Sequence, residues 1–323
     1  MEKAQLLSTK KNLKGGKMEK SNLQLVMSRQ GLIVYDKEKP MTIRFDREET
    51  KAITKQEINF DNFDYFCEVA HLEVSNSCNM KCPYCYVGEK TGEELSTDQW
   101  KYIIANLANA RVFQVSFGGG EPTLRKDLLD LAQYVKDMGM NLGMTTNGTK
   151  LLELDPIKLK DLFKQINVSW HQDRVTVELA LSFLAMHKIP SGINYCYSKD
   201  MSNDNDLVKS LAKSWNAELL YLVYKPVIRD VENQIQSEVV YAAAKQAANE
   251  GLKVAVDGPC VNQCLMKRKF IDVDHLGNVY PCSFIRKPLG NLLNTDFKTI
   301  WKHRGEQDEC PYVDLRKEKK GGN

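Results

Sequence analysis

The stretch His71-Leu-Glu-Val-Ser-Asn-Ser-Cys78-Asn-Met-Lys-Cys82-Pro-Tyr-Cys85-Tyr86 decides how the rest of the chain is read. Its first half, Leu72–Ser75, has the composition of a short strand. Its second half is a loop bearing three thiols at CX3CX2C spacing. The thiols therefore sit where a strand ends, the place at which parallel α/β folds put their chemistry. Three thiolates can each hold one iron of a [4Fe–4S] cube, leaving the fourth iron open. Zinc with three cysteines and a distant fourth ligand is the rival reading.

Downstream, strand, loop and helix alternate. The expected strands are Leu72–Ser75, Val112–Phe117, Asn141–Thr146, Ile166–Trp170, Gly192–Tyr197 and Glu218–Tyr224. After the first interval their starts recur about every 25–29 residues, the length of a helical crossover between parallel strands. Helical patterns fill the intervals. One starts at Ser96-Thr97, one runs from Lys126 to Met138 with Gly139 as its stop, and others lie near 156–164, 173–187, 204–215 and 232–250. Asp173 reads as an N-cap. Six such units predict an α/β fold, a partial parallel (βα)6 barrel.

Flanking segments differ. Residues 1–22 are lysine-rich and read as a basic disordered tail, as do 316–323. Residues 23–70 hold three short strands, LQLVMS, GLIVYD and MTIRFD, forming a small N-terminal β segment. Residues 71–250 are the barrel. Residues 251–315 contain a strand, a hairpin turning at His275–Asn278 and a short helix. They read as a small additional module.

Composition narrows the function. The 323 residues are 42% hydrophobic and 27% charged, the balance of a folded globular protein. A net charge of +3 gives no footprint for nucleic acid. Apolar runs such as Leu219–Tyr224 fall far short of a membrane span. The N-terminal residues lack the apolar core of a secretory signal, so a cytoplasmic, reducing setting is expected. There, nine cysteines point to metal rather than disulfides.

Two further motifs stand at strand ends. Gly118-Gly119-Gly120-Glu121-Pro122 follows the second strand, and Thr145-Thr146-Asn147-Gly148 ends the third. CX3CX2C with Tyr84 before the last cysteine, then GGEP, then TNG, in this order, resembles the radical S-adenosylmethionine (radical SAM) enzymes over residues 72–225. The resemblance implies a cluster on Cys78, Cys82 and Cys85 whose open iron binds the amino and carboxylate groups of SAM. It assigns Gly119, Gly120 and Glu121 to the methionine amino group, with Thr146 and Asn147 in the neighbouring cofactor contact. Ser169 and Asn194 are the corresponding places for ribose and carboxylate. His171 replaces the Leu-Asp-Gly of many relatives and is the candidate substrate-facing or catalytic residue. One electron cleaves SAM, and a 5′-deoxyadenosyl radical takes a hydrogen atom from the substrate. A flavodoxin or ferredoxin is the expected reductant.

Cys260-X3-Cys264, followed by Gly277-X4-Cys282 and by Cys310, resembles the shortened, twitch type of the SPASM extension. The resemblance implies one auxiliary [4Fe–4S] cluster on Cys260, Cys264, Cys282 and Cys310, with zinc, or a site without Cys310, as the other possibilities. Cys67 and Cys196 read as packing residues. The substrate is expected to be a peptide or protein, docked on the N-terminal strands. The alternatives are a small-molecule dehydrogenase, cyclase or epimerase, and a two-cluster electron carrier that is not an enzyme.

Overall fold

The computed structural model describes residues 22–39, 41–87, 94–225, 233–258 and 269–302. Both tails, Cys260, Cys264 and Cys310 lie outside the described residues. Contacts divide the chain into two units after Phe66.

The first unit is an antiparallel sheet in the order β1 (Leu23–Ser28), β2 (Gly31–Asp36), β3 (Met41–Phe45), followed by helix α1 (Arg47–Thr54). Arg29-Gln30 turns the first hairpin, and Gly31 at φ +130° leaves no room for a side chain, because a Cβ would stand 2.1 Å from the Phe45 carbonyl oxygen. Asp46 opens α1 with a capping box, accepting from the Glu49 backbone while Glu49 accepts from Asp46. Leu32, Val34 and Phe45 form the unit's small core. Among the described residues β2 is the central strand, paired on one edge with β1 and on the other with β3.

Among the described residues the second unit is built on one ten-stranded sheet. Its strands are β4 (Val69–Ser75), β5 (Gln114–Gly119), β6 (Asn141–Thr146), β7 (Gln165–Ser169), β8 (Ser191–Tyr197), β9 (Glu218–Val223), β10 (Val254–Val256), β11 (Phe270–Val273), β12 (Asn278–Tyr280) and β13 (Gly290–Asn291). The order is β10-β9-β8-β7-β6-β5-β4-β11-β12-β13. Strands β4 to β9 are the six expected, all parallel and in sequence order. The crossovers carry α2 (Thr97–Asn109), α3 (Leu128–Asp137), α4 (Pro156–Leu162), α5 (Arg174–Met186) and α6 (Asn205–Ser214). Asp173 caps α5, accepting from Thr176 N at 3.2 Å.

Two joins differ from a barrel followed by a separate module. Helix α7 (Ser237–Asn249) returns the chain so that β10 pairs parallel with β9, as a seventh unit. On the other side, β11 pairs parallel with β4, so the hairpin extends the barrel sheet. The physical reason is edge closure: a bare β4 edge would leave a row of unpaired backbone groups. The short helix α8 (Phe297–Lys302) follows β13, with Phe297 and Ile300 in the main core.

Strand alternation sorts the side chains. Ala70, Leu72 and Val74, Ile166 and Val168, and Ile193, Tyr195 and Tyr197 join a core shared with Trp100, Ile103, Leu131 and Leu181. The opposite side of the same strands is polar. There Gln165 Nε2 donates to Asn167 Oδ1 (2.9 Å) and Glu218 Oε2 (3.0 Å). Asn167 Nδ2 donates to Asn194 Oδ1 (2.9 Å), and Asn194 Nδ2 to Thr145 Oγ1 (3.2 Å). This chain of amides ties β6 to β9 across the concave side, each bond contributing about 1 kcal/mol. No helix among the described residues is long and apolar enough to cross a membrane.

Candidate active site

All the motifs meet at the C-terminal edge of the parallel strands. The register of β4 against β5 shifts between Glu73 and Ser75, an irregularity immediately before the cysteine loop. Such a shift re-aims the outgoing chain. The loop start is then held by one carboxylate. Glu94 accepts from Ser75 Oγ (2.6 Å), Asn76 N (3.0 Å) and Ser77 N (3.1 Å). Burial opposes its charge, but these bonds prevail and keep its carboxyl below the usual range.

The glycine motif packs directly beneath the loop. Gly119 has φ +103°, and a Cβ on Gly120 would stand 2.2 Å from the Ser77 carbonyl oxygen. Gly120 N donates to Ser75 O at 2.7 Å and Glu121 N to Ser77 O at 2.8 Å. The glycines are therefore required by backbone-to-backbone approach.

Glu121 is 1% exposed. Its Oε1 accepts from Thr123 N (3.1 Å), Thr123 Oγ1 (2.6 Å) and Thr146 Oγ1 (2.6 Å), and its Oε2 accepts from Asn147 N (2.6 Å). The side chain is thus committed to pinning the loop after β5 to the loop after β6. From there Asn147 Nδ2 donates to Asn79 Oδ1 (2.9 Å), and Asn79 Nδ2 to Thr149 Oγ1 (2.8 Å), which joins the third motif to the interior of the cysteine loop. Tyr84 OH donates to the Trp170 carbonyl at 3.1 Å, fixing the same loop to the end of β7. His171 lies half-buried beside them, with Nε2 2.9 Å from the Asn147 carbonyl, which makes Nε2 the protonated nitrogen. Ser169 ends β7 and is the register partner of Asn194, which stands in the middle of β8 rather than at its end and belongs to the amide chain.

The cysteine set suits a cluster. Cys78, Cys82 and Cys85 are of intermediate exposure and none of them is in a disulfide. Met80 N donates to Cys78 Sγ at 3.4 Å, the kind of bond that supports a thiolate. Among the described residues no three His, Cys, Asp or Glu side chains converge on a single ion. A cube takes one thiolate per iron, so its ligands stand farther apart than those around one zinc. Of the second cysteine set only Cys282 is described. The Phe284 N–H points at its sulfur at 3.5 Å.

Beside the cysteine loop lies a charged group that strand patterning alone did not single out. His71 Nδ1 and Asp272 Oδ1 are 2.5 Å apart. Arg286 donates to Asp272 Oδ2 (2.9 Å) and to Glu73. Tyr86 OH is 3.5 Å from His71 Nε2. Burial, then the Asp272 charge, pushes the Glu73 carboxyl up to about 8, against the pull of Arg286. Asp272 is instead held below the usual range: burial opposes its charge, but the bond and charge of His71, with Arg286, outweigh it. The available sequence signal was a charged residue, Asp272, flanked by the apolar Ile271 and Val273 in a short strand. Asn79 and Glu94 gave no comparable signal.

Comparison with known proteins agrees with this geometry. Residues 72–178 match the profile of the Radical SAM superfamily, and residues 264–321 match SPASM, an iron–sulfur cluster-binding domain. The PqqA peptide cyclase of Bradyrhizobium diazoefficiens is 41% identical over 83 residues, 25% of this chain and 22% of that protein. The matched stretch thus spans about a fifth of that relative. The AdoMet-dependent heme synthase of Nitratidesulfovibrio vulgaris is 23% identical over 295 residues, 73% of this chain and 79% of that protein. Streptococcus suis SuiB, solved with its precursor peptide SuiA, shares the fold at TM-score 0.72 and 13% identity, covering 91% of this chain and 88% of SuiB. The two domains imply a SAM-binding [4Fe–4S] cluster and auxiliary cluster ligation. This chain carries a radical SAM domain followed by a SPASM iron–sulfur domain, and belongs to the radical SAM superfamily.

Proposed function

We propose that the protein is a radical SAM enzyme that modifies a peptide. The observation that carries the radical chemistry is the bonded unit formed by the three strand-end motifs. Glu121 joins GGEP to TNG, and Asn147 with Asn79 joins TNG to the cysteine loop. An electron carrier has no need of such a ligand edge. When bound, the cluster and SAM supply a 5′-deoxyadenosyl radical, which removes a hydrogen atom from the substrate.

The chain's own residues hold and orient. Cys78, Cys82 and Cys85 are the proposed ligands of the SAM-binding cluster. Cys282, with Cys260, Cys264 and Cys310 outside the described residues, is assigned to the auxiliary cluster. Because the Glu121 oxygens already serve four protein donors, we assign a ligand's ammonium to the backbone of the glycine motif rather than to this side chain. Thr146 and Asn147 position that backbone, Ser169 and Asn194 offer polar contacts, and His171 faces the TNG loop.

The peptide reading takes the N-terminal β-sheet as the element on which an extended peptide would dock. It is also supported by the peptide-acting proteins among the relatives and fold neighbours. The test is anaerobic. Protein reconstituted with iron and sulfide is given SAM and dithionite, and 5′-deoxyadenosine is measured by mass spectrometry. A Cys78→Ala/Cys82→Ala/Cys85→Ala variant must give none. A pool of short synthetic peptides, drawn from the host's small open reading frames, is then screened for a mass change. No 5′-deoxyadenosine from cluster-bearing wild type would overturn the radical reading. Modification of small molecules only would overturn the peptide reading.

A further inference from the structure

The first four strands of the barrel each deliver something to the same edge. After β4 comes the cysteine loop, after β5 the glycine motif, after β6 the TNG loop, and after β7 Ser169 and His171. The cluster, SAM and, for His171, the substrate side of the site account for these. Strands β9 and β10 are followed at this edge by Lys225, two residues past β9, and Asp257, directly after β10, which have no part in that account.

These two side chains form an ion pair that is nearly sealed, at 7% and 10% exposure. The Asp257 N–H donates to the Tyr221 carbonyl at 2.9 Å, which fixes the carboxylate beside the end of β9. Lys225 Nζ lies 4.4 Å from the centroid of the Phe284 ring, a cation–π contact. Phe284 in turn packs on Tyr86, the residue after Cys85, with centroids 5.6 Å apart. Cys196, on the concave side of β8, and Cys282 are within electrostatic reach of the ammonium, and Cys196 is likewise within reach of Tyr84 in the cysteine loop. The pair therefore stands inside the mouth of the barrel, between the first cluster's loop and the segment that bears Cys282.

Such a pair is a poor device for stability, since burying two charges costs about what their attraction returns. Charged groups buried in a cleft beside a ligand-bearing edge are candidates for a functional role. Burial works against the Lys225 charge, but Asp257 outweighs it and keeps the group protonated. An ammonium has three N–H donors. Among the described residues Asp257 is the hydrogen-bond acceptor, and the Phe284 face covers another side. Donor capacity remains for an oxygen that enters the mouth.

We propose that Lys225, held in place by Asp257, is the anchor for a substrate carboxylate at the mouth of the barrel. It fixes the oxygen end of the substrate so that a neighbouring carbon faces the radical. The proposal rests on the radical SAM reading, which puts substrate at this edge, and is independent of whether that substrate is a peptide.

The experiment uses the full chain, reconstituted with iron and sulfide under argon. Thermal unfolding is followed with N-acetylglycine and, as the uncharged control, N-acetylglycinamide. The carboxylate is expected to raise Tm by about 2 °C, as occupancy of a specific site should, and the amide to leave it unchanged. Lys225→Met should abolish the rise. Because that change strands Asp257, Lys225→Met/Asp257→Asn is tested beside it and should also show none; Lys225→Arg should keep part of it. A wild type that does not respond, an equal response to both compounds, or a rise that survives in the double variant would each overturn the anchor. Production of 5′-deoxyadenosine by the same wild-type sample separates the two failures. If it forms while the carboxylate has no effect, the anchor is wrong and the radical chemistry stands. If none forms, the radical reading has failed first.

Discussion

Replacing Glu121 by Ala tests whether this carboxylate is a cofactor contact or the clamp of the site. It is 1% exposed and receives four hydrogen bonds, two from backbone N–H groups and two from threonine hydroxyls. The hydroxyls can rotate toward other acceptors. The N–H groups of Thr123 and Asn147 cannot, and each buried donor left unmet costs about 1–3 kcal/mol. The expected loss is therefore about 2–6 kcal/mol, a large share of the roughly 5–15 kcal/mol that holds a domain together. Glu121→Gln keeps one acceptor oxygen and turns an amide N–H toward one of the donors, so about 1–3 kcal/mol is expected. Equilibrium guanidinium unfolding of the iron-free protein measures both, and iron per chain after reconstitution reports whether the cysteine loop still forms. If Glu121→Ala costs no more than a surface substitution, about 0.5 kcal/mol, while SAM binding is lost, the clamp reasoning is wrong and the side chain belongs to the cofactor.

Gly120→Ala puts a Cβ 2.2 Å from the Ser77 carbonyl oxygen and 2.8 Å from its carbon, just before Cys78. Backbone must move, so reconstituted iron should fall well below wild type while far-UV circular dichroism is kept; full iron would refute the close approach. Arg125 donates to the Val74 (2.8 Å) and Leu95 (3.1 Å) carbonyls and pairs with Asp127, so Arg125→Met should cost about 3–5 kcal/mol in urea unfolding. Glu73, pushed up to about 8 from 4.5, holds its proton in the folded state where the unfolded chain has released it. Stability should fall as pH rises from 4.5 to 8 and level off above, and Glu73→Gln should flatten that slope. Asp272 acts in the opposite window: with its folded value lowered, its contribution is present above 3.8 and is lost as pH falls further. A wild-type midpoint independent of pH between 4.5 and 8 would contradict the assignment for Glu73.

Much of the molecule is legible in local pattern. The six parallel strands follow from apolar runs spaced by helical crossovers, and the caps at Ser96 and Asp173 from residues that outcompete backbone for the first turn. The cysteine loop, GGEP and TNG are recognisable because each is contiguous and each needs particular residues in a particular order. Placement at one edge follows too, since parallel strands all present their C-terminal ends to the same side.

What depends on distant parts of the chain was decided only by the fold. No local rule sets β11 beside β4; that pairing comes from an exposed barrel edge and a hairpin able to cover it. The His71–Asp272 and Glu73–Arg286 contacts exist because that pairing brings residues some two hundred positions apart into hydrogen-bond reach. Glu121 reads in sequence as a carboxylate waiting for an ammonium, and the tertiary structure surrounds it with protein donors instead. The Lys225–Asp257 pair likewise needs β10 to lie against β9. Contiguous motifs and periodicities carry their meaning within a few residues. A buried charge acquires its meaning only from its neighbours, and folding chooses those.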